Sequence, residues 1–467
     1  MPLSQWLAMI CIDDDLSLQN LKPRIDRLFE VSARKIRSIQ KTWDAARGAP
    51  VITSQGLYTA REWTQWTEGF LYGSALLQYD ATGEKWFLDY GRRNTIERMA
   101  PHVTHTGVHD HGFNNVSTYG NLLRLAAENR FAADEFEVGL YRLALEASGA
   151  VQAARWTKFS DGRGFIYSFN GPHSLFADTI RSLRSLALAY RLGHVLLVEN
   201  DERISLLERL VHHAGVTAEY SVYYGEGRDI YDVRGRVAHE SLFNVNSGAY
   251  RCPSTQQGYS PFSTWTRGLA WIILGFAEQL EFVETLDDGE LASLGGREKI
   301  ESLMCRAAEA TSDYFLAQAA QDGIPYWDTG APHLANIGDW LNQPADPIND
   351  FEPVDSSAAA IAAQGLWRMS RVAEHRGNTK QGKTYRQAAL TIASTLFDEP
   401  YLSSRDDHQG LILHSVYHRP KAWDYVPPGR RVPCGESSMW GDYQARELAL
   451  LLLREAQGGP YLAFFNV

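Results

Sequence analysis

Apolar residues recur at intervals of three and four along nearly the whole chain, and long runs of strict alternation are scarce. That period predicts helices over residues 18–44, 59–79, 85–99, 111–128, 133–153, 178–192, 202–221, 265–282, 297–320, 355–376, 382–396 and 438–456. Small polar residues that accept from free N–H groups stand at several starts: Ser263 and Thr264, Asp355 to Ser357, and Ser437 and Ser438. The even-numbered segments are rich in Ala, Gly and apolar residues, as in STWTRGLAWIILGFA and SSAAAIAAQGLW. The odd ones carry charged faces, as in REKIESLMCRAAEA. A helix apolar all round is buried, and a one-sided helix lies at the periphery. Six buried helices alternating with six amphipathic ones describe an all-α fold, an (α/α)6 barrel with an inner ring inside an outer one. Residues 1–467 are expected to form it as a single catalytic domain. An irregular α-solenoid is the competing architecture, but the chain shows no fixed-period repeat.

In such a barrel consecutive inner helices run parallel, so their N-termini share one rim. The residues near those starts include Glu62 and Trp63, His109, Asp110 and His111, Asp178, Trp265 and Arg267, Asp355, and Trp440 with Asp442. Helix N-termini add partial positive charge there, which favours an anionic ligand. The connections 154–177, 222–264, 321–354 and 397–437 are too long for turns and rich in Gly, Tyr, Trp, Pro and His. They are expected to wall a site over the same rim.

Composition sharpens this picture. The chain has 13 Trp and 22 Tyr, whose flat faces either stack on sugar rings or fill a helical core. A net charge of −11 argues against nucleic acid. It leaves room for a small anionic substrate held by a local Arg, because salt screens distant charges beyond about 10 Å. Cys11, Cys252, Cys305 and Cys434 lie far apart, with neither metal-like nor disulfide-framework spacing. The apolar stretch Trp6 to Ile12 lacks a basic lead and a cleavage site, and no run of about 18 apolar residues occurs. The expectation is a cytoplasmic protein without a membrane partner.

Each candidate for chemistry has a structural reading beside the functional one. In TGVHDHGFN, Asp110 is a helix cap or a catalytic carboxylate, flanked by His109 and His111. Two His and one Asp within three residues do not all reach one metal from a regular helix, so no metal is expected. Asp178 opens an apolar helix, as a cap or as a general acid among aromatics. In QGYSPFSTWTRGLAW, Arg267 and Trp271 are four apart and neighbours on one helix face. Arg267 either grips a substrate carboxylate in a fork or stacks as structure. IPYWDTGAP is an aromatic loop with one acid, DSSAAAIAAQGL is a packing helix, and Asp442 of SSMWGDY is structural. Nucleotide loops, a nucleophile elbow and zinc-protease motifs are missing, and no cofactor is expected.

Taken in order, WTEGFLYGSALLQYDATG, HDHGF, the Asp178 helix, QGYSPFSTWTRGLAW, IPYWDTGAP, DSSAAAIAAQGL and SSMWGDY resemble glycoside hydrolase family 88, the unsaturated glucuronyl hydrolases. The related unsaturated rhamnogalacturonyl hydrolases are less similar. The resemblance implies an anionic oligosaccharide substrate ending in a 4,5-unsaturated uronic acid, and hydration of its C4=C5 vinyl ether. It gives Asp178 the role of proton donor and base, with Asp110 supporting that chemistry. It places His239, Gln257, Trp265, Arg267 and Trp271 around the substrate, joined at the rim by His109, Trp63 and Trp440. The sequence departs from the family pattern after Asp178, where Arg181 and Arg184 lie outside the barrel or bind an extra anionic group. Pro261 and Phe262 depart as well.

Three other functions compete. A conventional uronidase would use Asp110 and Asp178 as an acid–base pair at the anomeric carbon of saturated glucuronides. An epimerase would use His109 and His239 as paired bases. A non-catalytic sugar-binding protein would not need both aspartates.

Overall fold

The structure, a computed structural model, describes residues 10–61 and 65–466. It is mostly helical. The helices are α1 (Leu18–Thr42), α2 (Glu68–Thr82), α3 (Lys85–Arg98), α4 (Ala100–Val103), α5 (His111–Asn115), α6 (Asn121–Ala127), α7 (Glu135–Ala154) and α8 (Thr179–Ser182). There follow α9 (Arg184–Arg191), α10 (Leu206–Tyr220), α11 (Thr266–Glu284), α12 (Asp288–Ala292), α13 (Arg297–Gln318), α14 (Ser356–His375), α15 (Thr379–Leu396) and α16 (Met439–Ala456). No helix among the described residues is long and apolar enough to cross a membrane.

The helices expected from the periodicity are present, with instructive differences. The segment expected to be helical from residue 59 starts instead at Glu68. Residues Leu57–Thr59 are a strand paired with Ile52–Ser54. Gln55 and Gly56 turn the hairpin, both at positive φ, which suits the twist of a tight hairpin. The 111–128 segment is broken into α5, a π-helical turn at Val116–Gly120 and α6. The 178–192 segment divides into α8 and α9.

The contrast between buried and one-sided helices also holds. Nearly every side chain of α11, α14 and α16 is buried. On α1 the buried positions include Leu21, Ile25, Leu28, Ile36 and Ile39, one stripe at helical spacing. The buried helices pack in chain order. α2 meets α5 and α6, α5 meets α8 and α9, and α8 meets α11. α11 then meets α14, α14 meets α16, and α16 returns to α2. Outside them, α3 packs on α2, α7 and α10 on α9, α13 on α11, α15 on α14, and α1 on α16. One continuous apolar core runs from Ile10 to Phe465.

Arg181 and Arg184, expected outside the barrel or at an anionic substituent, are fully buried among these helices. Arg181 lies 2.9 Å from Glu278 and 3.0 Å from Glu447, while Arg184 lies 3.6 and 3.7 Å from the same two acids. Arg368 joins through Glu278 at 3.9 Å and pairs with Glu281 at 2.7 Å. A buried charge persists only with an opposite partner, and each arginine here has at least one. The helical period fits the placement: Arg181 lies about one turn and Arg184 nearly two turns beyond Asp178, deeper among the buried helices.

The long connections carry short strands. Ser174–Phe176 pairs antiparallel with Glu240–Phe243, which pairs with Tyr250–Ser254. This small sheet ties connection 154–177 to connection 222–264.

Candidate active site

Asp110 and Asp178 occupy the N-cap positions of α5 and α8, yet neither side chain caps its helix. Both carboxylates are therefore left for other work. The two helix starts are 68 residues apart in sequence and meet because Gly112 has no side chain. A Cβ there would lie 2.1 Å from the carbonyl oxygen of Ser182. Three hydrogen bonds lock the approach. The Gly112 N–H donates to Ser182 Oγ at 2.9 Å, Ser182 Oγ donates to the His109 carbonyl at 2.6 Å, and Gln152 Nε2 donates to that carbonyl at 2.8 Å.

His109 is wedged between the two acids. Its Nε2 donates to Asp178 Oδ1 at 3.4 Å and lies 3.7 Å from Asp110 Oδ1. Phe169 stacks on the imidazole at 6.0 Å between ring centroids, and Phe176 meets it edge-on at 5.4 Å. Burial by itself would lower the His109 pKa, but the charge of Asp110 and the hydrogen bond and charge of Asp178 carry it above its usual value. Burial pushes the Asp110 carboxyl up, opposed by His109 and reinforced by the like charge of Asp178. Burial acts on Asp178 in the same sense, but the hydrogen bond and charge of His109, with His239 nearby, bring it below its ordinary value. Both shifts favour a proton on His109 and a negative charge on Asp178.

His239 is buried behind the wall, packed between Phe176 at 4.7 Å and Trp265 at 4.5 Å. It precedes strand Glu240–Phe243, and its carbonyl accepts from the Ala177 N–H at 2.9 Å, which places it beside Asp178. Its Nδ1 accepts from the N–H groups of Gln256 at 3.1 Å and Gln257 at 3.3 Å, so the ring proton sits on Nε2. Burial, partly offset by Asp178 and Glu240, pulls its pKa down to about 4, and the ring is neutral near pH 7.

Arg267 does not present a free fork. Its Nη1 donates to Asp355 Oδ2 at 2.7 Å and to the Val416 carbonyl, and its Nη2 donates to Gln257 Oε1 at 2.9 Å and the Tyr417 carbonyl at 2.8 Å. Trp265 and Trp440 lie over its guanidinium at 4.6 and 4.8 Å. Arg267 thus fixes Gln257 and the 416–417 backbone against the N-terminus of α14, which Asp355 caps. Trp440 is fully buried, donates to Ser357 Oγ at 2.9 Å and stacks behind Trp66 at 5.2 Å. It supports the wall without reaching the cavity. Asp442 accepts from Tyr58 and from the N–H groups of Leu411 and Ile412, a structural role.

These groups surround a cavity of 380 Å³. Asp110, Asp178, His109, Gln257, Trp265, Arg267 and Trp271 all line it. So do Trp66, Phe169, Phe176, Tyr417 and His418, which sequence reasoning did not single out. Trp66 begins the WTEGF motif, and that position was the available signal; Trp63, chosen in its place, lies outside the described residues. Phe169 and Phe176 come from connection 154–177, and Tyr417 and His418 from connection 397–437. Connection 321–354 lines a neighbouring outer cavity instead. Among the described residues no group of three or more His, Cys, Asp or Glu is placed to hold a metal ion.

Buried helices that converge on a pair of uncapped carboxylates in an aromatic cleft define the class: a carbohydrate-active hydrolase. The comparisons narrow it. No family model matches the chain. An unsaturated glucuronyl hydrolase of Bacillus sp. (strain GL1) is 25% identical over 437 residues, covering 91% of this chain and 95% of the relative. One from Formosa agariphila is 24% identical over 359 residues, covering 76% and 74%. An unsaturated chondroitin disaccharide hydrolase of Streptococcus agalactiae is 22% identical, covering 86% and 85%. Among solved structures, an unsaturated glucuronyl hydrolase specific for heparin superimposes with a TM-score of 0.70 at 20% identity, covering 93% of this chain and 98% of that one. The unsaturated glucuronyl hydrolase of Streptococcus agalactiae gives 0.68 at 21%, covering 94% and 93%. The chain is a relative of the unsaturated glucuronyl hydrolases, as its motifs implied.

Proposed function

We propose that this enzyme releases a 4,5-unsaturated uronic acid from the non-reducing end of lyase-generated oligosaccharides by hydrating the C4=C5 vinyl ether. We assign it one (α/α)6-barrel catalytic domain and a cytoplasmic location; the cyclic packing order of the buried helices supports the barrel. The observation that carries the chemistry is the placement of His109 against both Asp110 and Asp178. A pair of carboxylates that acts at an anomeric carbon flanks the scissile bond, one as acid and the other as base or nucleophile. Here one imidazole nitrogen is in reach of both acids. That arrangement suits delivery and recovery of a single proton at one point, which is what a vinyl ether needs.

In this reading the uronate carboxylate enters beside Asp178 and its like charge raises the affinity of Asp178 for a proton. The proton held on His109 passes to Asp178 and from there to C4. Water adds to C5 and returns its proton to Asp178. The resulting hemiketal opens at the C5–ring oxygen bond to a ketone, and the hemiacetal left at C1 breaks down, freeing the remaining saccharide. Asp110 orients His109 and the ring hydroxyls. Trp265 and Trp271 stack the ring, while His239 and Arg267 hold Asp178 and Gln257 in place from behind.

The test follows the ultraviolet absorbance of the conjugated double bond in a panel of unsaturated disaccharides, with wild type and Asp178→Asn side by side. Loss of absorbance with wild type alone supports hydration. Cleavage of a saturated glucuronide without loss of absorbance anywhere in the panel sinks it and promotes attack at the anomeric carbon.

A further inference from the structure

The outward faces of the outer helices are not alike. On α1 the exposed positions include Asp26, Arg27, Glu30 and Arg34, and on α13 Glu298, Lys299, Ser302 and Arg306, as a helix packed on one side requires. α7 breaks the pattern. It buries Tyr141, Ala144, Leu145 and Ser148 against the barrel, yet its opposite side carries Phe136, Gly139, Leu140, Leu143, Ala147 and Val151. These recur at three- and four-residue steps and form one stripe along the helix. Phe136 is 80% exposed and Leu143 61%. The hairpin of Leu196–Leu197 and Arg203–Ile204 packs beside α7 and adds Leu197, 57% exposed. Single exposed apolar residues are ordinary, but a continuous stripe of this length marks an interaction surface.

The stripe is matched to itself. Helix α7 runs 20 residues, and its midpoint falls beside Leu143. A second α7 turned end for end about that point sets its Val151 against Phe136 and its Ala147 against Leu140, a smaller residue opposite a larger one each time. The two Leu143 side chains meet at the axis. Close packing needs such alternation of large and small. Arg142 and Glu146 flank the stripe on one edge. They are four apart and able to pair with each other, but neither has an ion pair among the described residues. In the end-for-end arrangement Arg142 of one copy lies opposite Glu146 of the other, and a two-fold axis makes this pair twice. A parallel arrangement would set like charges against each other.

We propose that two copies of this chain associate through α7, antiparallel about a two-fold axis beside Leu143. Gln152, which holds the His109 carbonyl, places the C-terminal end of α7 at the rim. The two active sites of such a dimer therefore open in opposite directions, clear of the interface. One helix and one hairpin per copy make a contact at the small end of stable interfaces, so a Kd on the order of micromolar is expected. Sedimentation velocity of the full chain across a dilution series should show dimer passing to monomer over that range, with turnover per chain unchanged. Leu143→Lys sets two like charges at the axis and should weaken association about a hundredfold or more. Arg142→Glu should weaken it about tenfold, and adding Glu146→Arg should restore it, because the pair is then reversed in both copies. Leu143 and Arg142 are exposed, so circular dichroism should show these variants folded. Wild type that stays monomeric at about a hundred times the expected Kd overturns the proposal. So does a dimer that Leu143→Lys leaves intact, which would place the contact on another face, or a charge reversal that fails to restore association, which would exclude the antiparallel register. Binding of monomeric wild type to neutral phospholipid vesicles would overturn it too and assign the stripe to a membrane surface.

Discussion

Two clusters of buried charge lie about one helical turn apart in this molecule and behave as opposites. At the rim, Asp110 and Asp178 converge on one imidazole and open onto a cavity. Deeper in, Arg181 and Arg184 face Glu278 and Glu447 with no exposure at all. The same stretch of chain supplies a member to each, Asp178 to the first and Arg181 to the second. The deep cluster balances cations against anions and holds the buried helices in register. The rim cluster has two acids for one base, an imbalance that a solely structural cluster would avoid. The lesson is that burial alone does not mark a site. An excess of one charge type facing a cavity does.

The largest effect that tests the contrast is at the rim. Asp178→Asn should lower kcat by about 10²–10⁴-fold, the range for a positioned general acid–base, with little change in unfolding midpoint. If activity survives within a few fold, the acid lies elsewhere. At the deep cluster the signs reverse. Glu447→Gln strips a partner from Arg181 and Arg184 and should cost about 3–5 kcal/mol in denaturant unfolding, the usual penalty for orphaning a buried charge. Activity per folded molecule should stay close to wild type. A variant as stable as wild type would mean that this network contributes nothing net.

How far these clusters could be foreseen depends on whether period or contact sets them. The helices, the rim positions of Asp110 and Asp178 and the structural part of Asp442 follow from periodicity and motif order. The hairpin at 52–59 was missed because Leu57–Thr59 continues an apolar pattern, while the turn chemistry at Gln55 and Gly56 decides the strand. Arg267 looked available because spacing shows its neighbours on the helix but not Asp355, 88 residues away. Phe169 and Tyr417 sit in connections without a period, and only the folded chain brings them to the cavity.

A smaller effect sharpens the rim itself. The acids beside His109 raise its pKa above the ordinary imidazole value, so it loses its proton only as pH rises past that range. Activity should fall along an alkaline limb there. His109→Asn should remove that limb and lower neutral-pH kcat/KM by about 10–100-fold, as loss of a hydrogen bond between charged groups implies. An unchanged alkaline limb would mean that the stored proton resides on another group.

The smallest expected effect separates wall from support. Trp440 contacts Arg267, Trp66 and Ser357 but not the cavity. Trp440→Phe keeps an aromatic face for Arg267 and loses the donor to Ser357 Oγ, which should cost about 1 kcal/mol of stability. KM should stay within about twofold, a change of no more than about 0.4 kcal/mol in substrate binding. Trp265→Phe, by contrast, alters a residue that lines the cavity, and its KM should rise more than that of Trp440→Phe. Equal rises in the two variants would show that the ring behind Trp66 reaches substrate after all, and that the boundary between wall and support lies one layer deeper.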